Sequence, residues 1–216
     1  MAEPVTTLLL SRHGQTDWHH DNRYAGADSD IDLTTTGQAQ ARALAEFARS
    51  RRPDAVISSP VRRALETAQP AADALRVQLE IVDDLREVGF GLAEGRTATE
   101  LDELDPGIMA RFRHDPVADP FPGAEPPAAA AGRAAGALRL VTERHPGETV
   151  LVVAHNTLLR LALCSVLDLP ISRYRQLFPR LDNAAITELR LSAEPGAPAS
   201  LISLNVPVTT PVPASP

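Results

Sequence analysis

Two hydrophobic patterns alternate along this chain: short unbroken apolar runs, and longer stretches in which apolar residues recur at helical spacing. Thr7-Leu8-Leu9-Leu10-Ser11 is a short apolar run that meets Arg12-His13-Gly14. It predicts a buried strand opening into a loop. Residues 17–33 are polar, with Gly26 and five aspartates. Thr34–Thr36 then offers N-caps for a helix reaching about Arg52, with Ala39, Ala43, Leu44, Phe47 and Ala48 on one face, and Pro53 ends it. Asp54–Ser58 predicts a second strand. Ser59 and Pro60 suit the N-cap and first position of another helix. Its stripe is Ala64, Ala68, Ala71, Ala72 and Leu75. Gln78–Val82 predicts a third strand.

Residues 88–127 break this rhythm. They mix glycine, proline and charge, with a short helix expected at Thr99–Leu104. Such a segment between regular elements predicts an excursion over a site. Ala128–His145 predicts a helix, weakened by Gly132 and Gly136. Thr149–Ala154 is the strongest strand pattern; it ends at His155-Asn156, and a helix follows to about Leu167. Ala185–Leu191 and Ser200–Val206 predict two last strands. The alternation predicts an α/β fold, a three-layer α/β/α sandwich with a mostly parallel central sheet. A single domain is expected over residues 1–206, with a proline-rich disordered tail at 207–216.

The 216 residues suit one domain with a real core. All 21 basic residues are arginine, and the net charge is −7. Without lysine, neither a Walker-A phosphate loop nor a Schiff-base enzyme is possible. Arginine cannot act as a general base, but it holds oxyanions through forked hydrogen bonds. Most of the arginine bias needs no functional explanation and fits a GC-rich genome. The acidic balance argues against a nucleic-acid partner. The single cysteine, Cys164, excludes a disulfide framework and a cysteine zinc cluster. The apolar run Leu158–Leu169 is interrupted by Arg160 and Asp168 and cannot span a bilayer. The first residues lack the basic region of a signal peptide. A cytoplasmic protein without a membrane partner is expected, and oligomeric state is not legible.

Three strand ends share one geometry. Arg12-His13 follows the first strand, Ser58-Ser59 with Arg62-Arg63 the second, and His155 the strongest. Open α/β sheets bind ligands beyond the carboxyl ends of their strands. Two histidines and at least two arginines would therefore converge there, in a pocket that suits a phosphoryl group. The helix beginning near Asn156 would add amide donors. His13, His19 and His20 lack the spacing and carboxylate partners of a zinc site, so neither metal nor cofactor is expected.

In this setting Arg12-His13-Gly14-Gln15-Thr16 resembles the RHG signature of the histidine phosphatase superfamily, the phosphoglycerate-mutase-like proteins. Asn22–Gly26 and Leu33–Ala39 resemble the segment after it. Ser58–Ala64 with Glu66-Thr67-Ala68 resembles the second arginine motif. Leu85-Arg86-Glu87 with Phe90-Gly91 and Glu94-Gly95 resembles the acid motif, and Val153–Asn156 the second-histidine motif. The resemblance spans roughly residues 7–191 and implies a phosphoglycerate-mutase-like fold. It implies that His13 is the nucleophile forming a phosphohistidine and that Arg12 and Arg63 clamp the non-bridging oxygens. It also implies that His155 donates to the developing charge. Glu87 would protonate the leaving oxygen and then activate water.

Departures fall around the substrate. His19 stands where relatives often carry asparagine, Ala25 where many carry glutamine, and Asn156 where glycine is usual. Ala93 and Gly123–Pro126 also differ from the common pattern. His19 is either a replacement phosphate contact or a surface residue, and the Asn156 amide remains able to donate. The implied activity is a metal-independent phosphomonoester phosphatase acting on a small phosphate ester. A phosphoglycerate-type mutase, a protein-phosphohistidine phosphatase and a non-catalytic phospho-ligand module are the alternatives.

Overall fold

The unbroken apolar runs become strands because both faces of the sheet are covered. The computed structural model describes residues 4–194 and 197–208. Its strands are β1 (Val5–Arg12), β2 (Ala55–Ser58), β3 (Leu79–Ile81), β4 (Thr149–Ala154), β5 (Ile186–Ser192) and β6 (Ser200–Val206). They form one sheet in the order β3-β2-β4-β1-β5-β6. The first four in that order run parallel; β5 and β6 are antiparallel additions.

The helices are α1 (Thr35–Arg51), α2 (Arg62–Leu75), α3 (Ala98–Leu104), α4 (Ile108–His114), α5 (Pro127–Arg144), α6 (Asn156–Val166) and α7 (Tyr174–Leu177). Alternate strand residues serve opposite layers. Leu9, Val56, Leu151 and Val153 pack with Leu44 and Ala48 of α1 and Ala64, Ala68 and Ala72 of α2. Leu8, Leu10, Ile57, Val150 and Val152 pack with Ala134 and Leu138 of α5 and Leu158 and Leu161 of α6. The expected α/β/α sandwich results. Among the described residues, no helix is long and apolar enough to cross a membrane.

Register brings the site together. Arg12 pairs with Ala154 and Ser58 with Val153. The His13 amide donates to the Ala154 carbonyl at 3.0 Å, and the Ser59 amide to that of Val153 at 3.0 Å. The three functional strands therefore end at one level.

Several local expectations are corrected. Thr34 does cap α1, accepting from the Gly37 amide at 3.0 Å. The buried stripe, however, is Gly37, Ala41, Leu44, Ala45 and Ala48, while Ala39 is exposed. With five alanines in or near the helix, apolar spacing alone fits more than one face. Helix α2 begins at Arg62, not Pro60, with Val61 extended before it. The Ser59 hydroxyl closes a tight turn by accepting from the Val61 amide at 3.2 Å, which delays the helix.

The excursion holds α3 near its expected place and also α4, whose short Phe112-centred pattern was not foreseen. Stacked Phe112 and Phe121, 4.1 Å between centroids, join Tyr24 and Phe90 in an aromatic cluster that pins the excursion. Of the expected disordered tail, residues 209–216 lie outside the described residues.

Candidate active site

The loop that leaves β1 passes against the start of α1 at backbone contact. A Cβ on Gly14 would lie 2.7 Å from the Gly37 carbonyl oxygen, and one on Gly37 would lie 2.1 Å from that of Gln15. Two glycines at this crossing let the chain turn His13 inward. The Gly14 amide is then fixed by the Thr67 hydroxyl at 2.9 Å.

His13 is buried, and its Nδ1 lies 2.7 Å from the Gly14 carbonyl. A carbonyl only accepts, so Nδ1 carries the ring proton and Nε2 keeps its lone pair. The Arg63 Nε–H donates to that Nε2 at 3.3 Å. Burial, then Arg63, His155 and Arg12, hold the His13 pKa well below 6.5. The imidazole is thus neutral at neutral pH, with its nucleophilic nitrogen prepared.

Arg63 is fully buried, whereas Arg62 lies on the surface among Asp32 and Glu66. The Arg63 guanidinium donates to the carbonyls of Ser29, Ala25 and Gly26 at 2.8, 3.1 and 2.9 Å. It is held rigidly behind the His13 ring. That loop is in turn tied by Glu94, which accepts from the Gly26 and Phe90 amides at 2.9 and 3.1 Å and from the Ser29 hydroxyl at 2.5 Å.

His155 is fully buried at the end of β4, its ring centroid 5.2 Å from that of His13. Its Nε2 lies 2.7 Å from the Ser59 hydroxyl, and its Nδ1 has no partner. Burial and the two arginines hold its pKa well below 6.5.

Glu87 is 3 % exposed. It accepts from the amides of Val88 at 2.9 Å, Thr157 at 3.1 Å and Leu158 at 2.8 Å. The last two are orphan donors of the first turn of α6. Burial raises the Glu87 pKa, against the opposing pull of these amides and Arg63. A buried carboxyl whose pKa is raised is suited to general acid work.

A cavity of about 280 Å³ opens in front of these groups. Of the seven residues singled out in the sequence, Arg12, His13, His19, Glu87 and Asn156 line it. Arg63 and His155 stand behind, against His13. Arg12 donates from Nη1 to the Leu181 carbonyl at 3.0 Å, while its buried Nε has no partner. Burial lowers its pKa to about 10.

His19 takes neither a free surface position nor a place apart from the arginines. Its Nε2 faces two donors, Arg12 Nη2 at 2.5 Å and Asn183 Nδ2 at 3.3 Å. Those donors make Nε2 an acceptor; Nδ1 is met by the Thr16 amide, which donates to it at 3.0 Å, and lies 2.9 and 3.1 Å from the Thr16 hydroxyl and carbonyl. Burial and Arg12 lower the His19 pKa to about 4. His19 therefore orients Arg12 as a neutral ring.

Sequence reading missed Asn183, whose Nδ2 also donates to the His13 carbonyl at 2.7 Å, as well as Arg160 and Arg175. For Arg160 a signal existed: one cation inside an otherwise apolar helix. Asn183 carries none, because it arrives from a loop remote in sequence.

The chain as a whole finds counterparts among known proteins. The profile described as histidine phosphatase superfamily (branch 1) matches residues 8–201. The chain is 32% identical over 170 residues to phosphoserine phosphatase 1 of Hydrogenobacter thermophilus, covering 79% of this chain and 80% of that protein. It is 33% identical over 207 residues to glucosyl-3-phosphoglycerate phosphatase of Mycolicibacterium vanbaalenii, covering 89% of each. A solved mycobacterial glucosyl-3-phosphoglycerate phosphatase in complex with VO3 superposes with a TM-score of 0.82 at 27% identity, covering 94% of this chain and 100% of that one.

Proposed function

Because the chain belongs to the histidine phosphatase superfamily, branch 1, we propose that it is a phosphoric monoester hydrolase acting on a small phosphorylated metabolite through a phosphohistidine at His13, without a metal ion. Relatives named for phosphoserine and for glucosyl-3-phosphoglycerate, both small phosphorylated metabolites, support this reading. One observation carries the residue assignment: the Gly14 carbonyl holds the His13 proton on Nδ1, so the lone pair is on Nε2, where Arg63 Nε–H meets it at a long 3.3 Å, in a cavity that Glu87 also lines.

His13 Nε2 attacks phosphorus in line with the ester oxygen. The P–O bond breaks, and the leaving oxygen takes the Glu87 proton. The alcohol departs. Water then attacks the phosphohistidine, giving its proton to the Glu87 carboxylate. The P–N bond breaks, its electron pair returns to Nε2, and phosphate leaves with Glu87 protonated again. Splitting hydrolysis into two displacements lets one carboxyl serve as acid and then as base. Arg12, Arg63, His155 and Asn156 hold the non-bridging oxygens throughout, so that catalysis rests on positioning and charge.

The test is a panel of phosphomonoesters, including phosphoglycerates, sugar phosphates and phosphoserine, assayed for released phosphate with and without EDTA. Release unaffected by EDTA is expected. No release from any member overturns the hydrolase reading, and loss in EDTA overturns metal independence. His13→Ala is expected to form no acid-labile phosphoenzyme; its retention would refute the nucleophile assignment.

A further inference from the structure

Glu87 must keep one position to serve as acid and then as base, and its three amide partners hold only its carboxylate. Its backbone runs between two short 3-10 turns, Asp83–Leu85 and Gly91–Ala93. Turns this short leave carbonyls without partners of their own.

Arg133 of α5 answers those carbonyls. Its Nη1 donates to the Asp84 carbonyl at 2.6 Å and to the Arg86 carbonyl at 3.0 Å. The second belongs to the peptide bond that leads into Glu87. The Nε and Nη2 groups donate to the two carboxylate oxygens of Glu125 at 2.9 and 2.7 Å, a forked pair. The Glu125 amide donates in turn to the Gly89 carbonyl at 2.8 Å. The loop is thus gripped on both sides of Glu87, and the Arg133–Glu125 pair closes the clamp.

Holding the excursion in place does not require this pair. The aromatic cluster of Tyr24, Phe90, Phe112 and Phe121 already pins it, and the Leu92 amide donates to the Pro122 carbonyl at 2.8 Å. The paired side chains are only 10 and 21 % exposed, and withdrawing such charges from water is costly. An apolar contact would brace the segment without that cost, but it would leave the Asp84 and Arg86 carbonyls unanswered. The helix that carries Arg133 also shares one core with α6, through Ala134, Leu138, Leu158 and Leu161. Because the first amides of α6 hold the Glu87 carboxylate, backbone and carboxylate are referred to the same rigid layer.

We propose that Arg133, with Glu125 as its partner, is a positioning residue for Glu87, holding the carboxyl where it can pass its proton to the leaving oxygen. This rests on the hydrolase reading above. Displacing a reacting group by about 1 Å costs on the order of a hundredfold in rate. The α6 amides remain when Arg133 is removed, so a smaller loss is expected.

Two esters separate this role from a merely structural one. Quenched flow follows formation of the phosphoenzyme from propyl phosphate, whose alkoxide needs the Glu87 proton, and from p-nitrophenyl phosphate, whose phenolate leaves without it. Arg133→Met keeps the length of the side chain and removes every donor. It is expected to slow this step about tenfold with propyl phosphate and less than about twofold with p-nitrophenyl phosphate. Glu125→Gln, at the more exposed position, keeps the test if Arg133→Met does not fold; its expected loss is about threefold, again confined to propyl phosphate. Equal slowing of both esters, or no slowing of either, in the variants that fold overturns the positioning role. A wild-type chain that releases no phosphate from any ester is a different failure, which overturns the hydrolase reading and this role with it.

Discussion

Replacing Glu87 by glutamine separates the two jobs assigned to it. In the fold, Oε1 accepts from the Val88 and Leu158 amides at 2.9 and 2.8 Å, and Oε2 from the Thr157 amide at 3.1 Å. A glutamine oxygen can replace the acceptor that serves two amides. Its NH2 group then faces the Thr157 amide, donor against donor. One buried N–H loses its acceptor, at a cost of about 1–3 kcal/mol. At roughly 2–4 °C per kcal/mol for a chain of this size, Tm drops but the fold survives.

Catalysis suffers more. General acid–base transfer contributes about 10²–10⁴-fold. An alkyl phosphate, whose alkoxide leaves poorly, should lose that whole factor in forming phosphohistidine. p-Nitrophenyl phosphate, whose phenolate leaves without a proton, should lose little there and then stall, because the second step still needs the base. Stopped-flow absorbance should show a burst of nitrophenolate near one equivalent, and alkaline quench should trap the phosphoenzyme. An equal fall for both esters with no burst would refute proton transfer by Glu87 and leave it only a binding role.

Other outcomes follow from the same geometry. The kcat/KM profile should lose activity in acid only well below pH 6.5, where His13 takes a proton, and in base where Glu87 ionises; the alkaline limb should vanish in Glu87→Gln. His13 and His155 have folded pKa values below those of the unfolded chain, so unfolding takes up protons. Stability measured by urea denaturation should therefore hold above about pH 6.5 and fall below it, by up to about 1.4 kcal/mol per pH unit for each histidine; a flat profile would contradict their burial as neutral rings. His19→Ala removes the acceptor for Arg12 Nη2 and should lower kcat/KM about tenfold, as expected for loss of one charged hydrogen bond. His19→Asn should recover most of it, and wild-type activity in the alanine variant would refute the orienting role. Glu94→Ala frees the loop whose carbonyls hold Arg63; it should lower both Tm and kcat, and loss of Tm with kcat intact would show that Arg63 does not depend on this tie.

The sequence disclosed the sheet and the ends of its strands because those signals are local. A run such as Thr149–Ala154 reports burial on both faces, and the motif residues sit at its boundary, so topology alone brings His13, Ser59 and His155 to one edge. What stayed hidden depends on distant packing. Alanine-rich α1 fits several faces by periodicity, and only tertiary packing buries Ala41 and Ala45 rather than Ala39. Ser59 and Pro60 are good helix-starting residues, yet the Ser59 hydroxyl is drawn into a turn beside His155. Asn183 and Arg175 reach the site from segments with no distinctive pattern. Motif context separated Arg63 from Arg62, but the physical distinction lies in three loop carbonyls that no spacing rule reveals.

Those carbonyls also explain how a chain of net charge −7 can receive an anion. Its acids are spent on the outside, neutralising surface arginines such as Arg62 and Arg111. Inside, Arg63 is satisfied by backbone dipoles, which fix its position without cancelling its charge. Arg12 retains an unpartnered Nε, and burial raises the pKa of Glu87. The field at the cavity is therefore positive despite the acidic whole. Burial, reinforced by Arg160 and Arg63, lowers the Arg12 pKa to about 10, so its charge is held there at a cost. A bound phosphoryl dianion relieves that cost. The same group keeps its charge as it passes from ester to His13 to water, so one fixed set of cations serves both displacements. The residue that must change state between them is Glu87, whose pKa burial raises while its backbone amides and Arg63 oppose the rise.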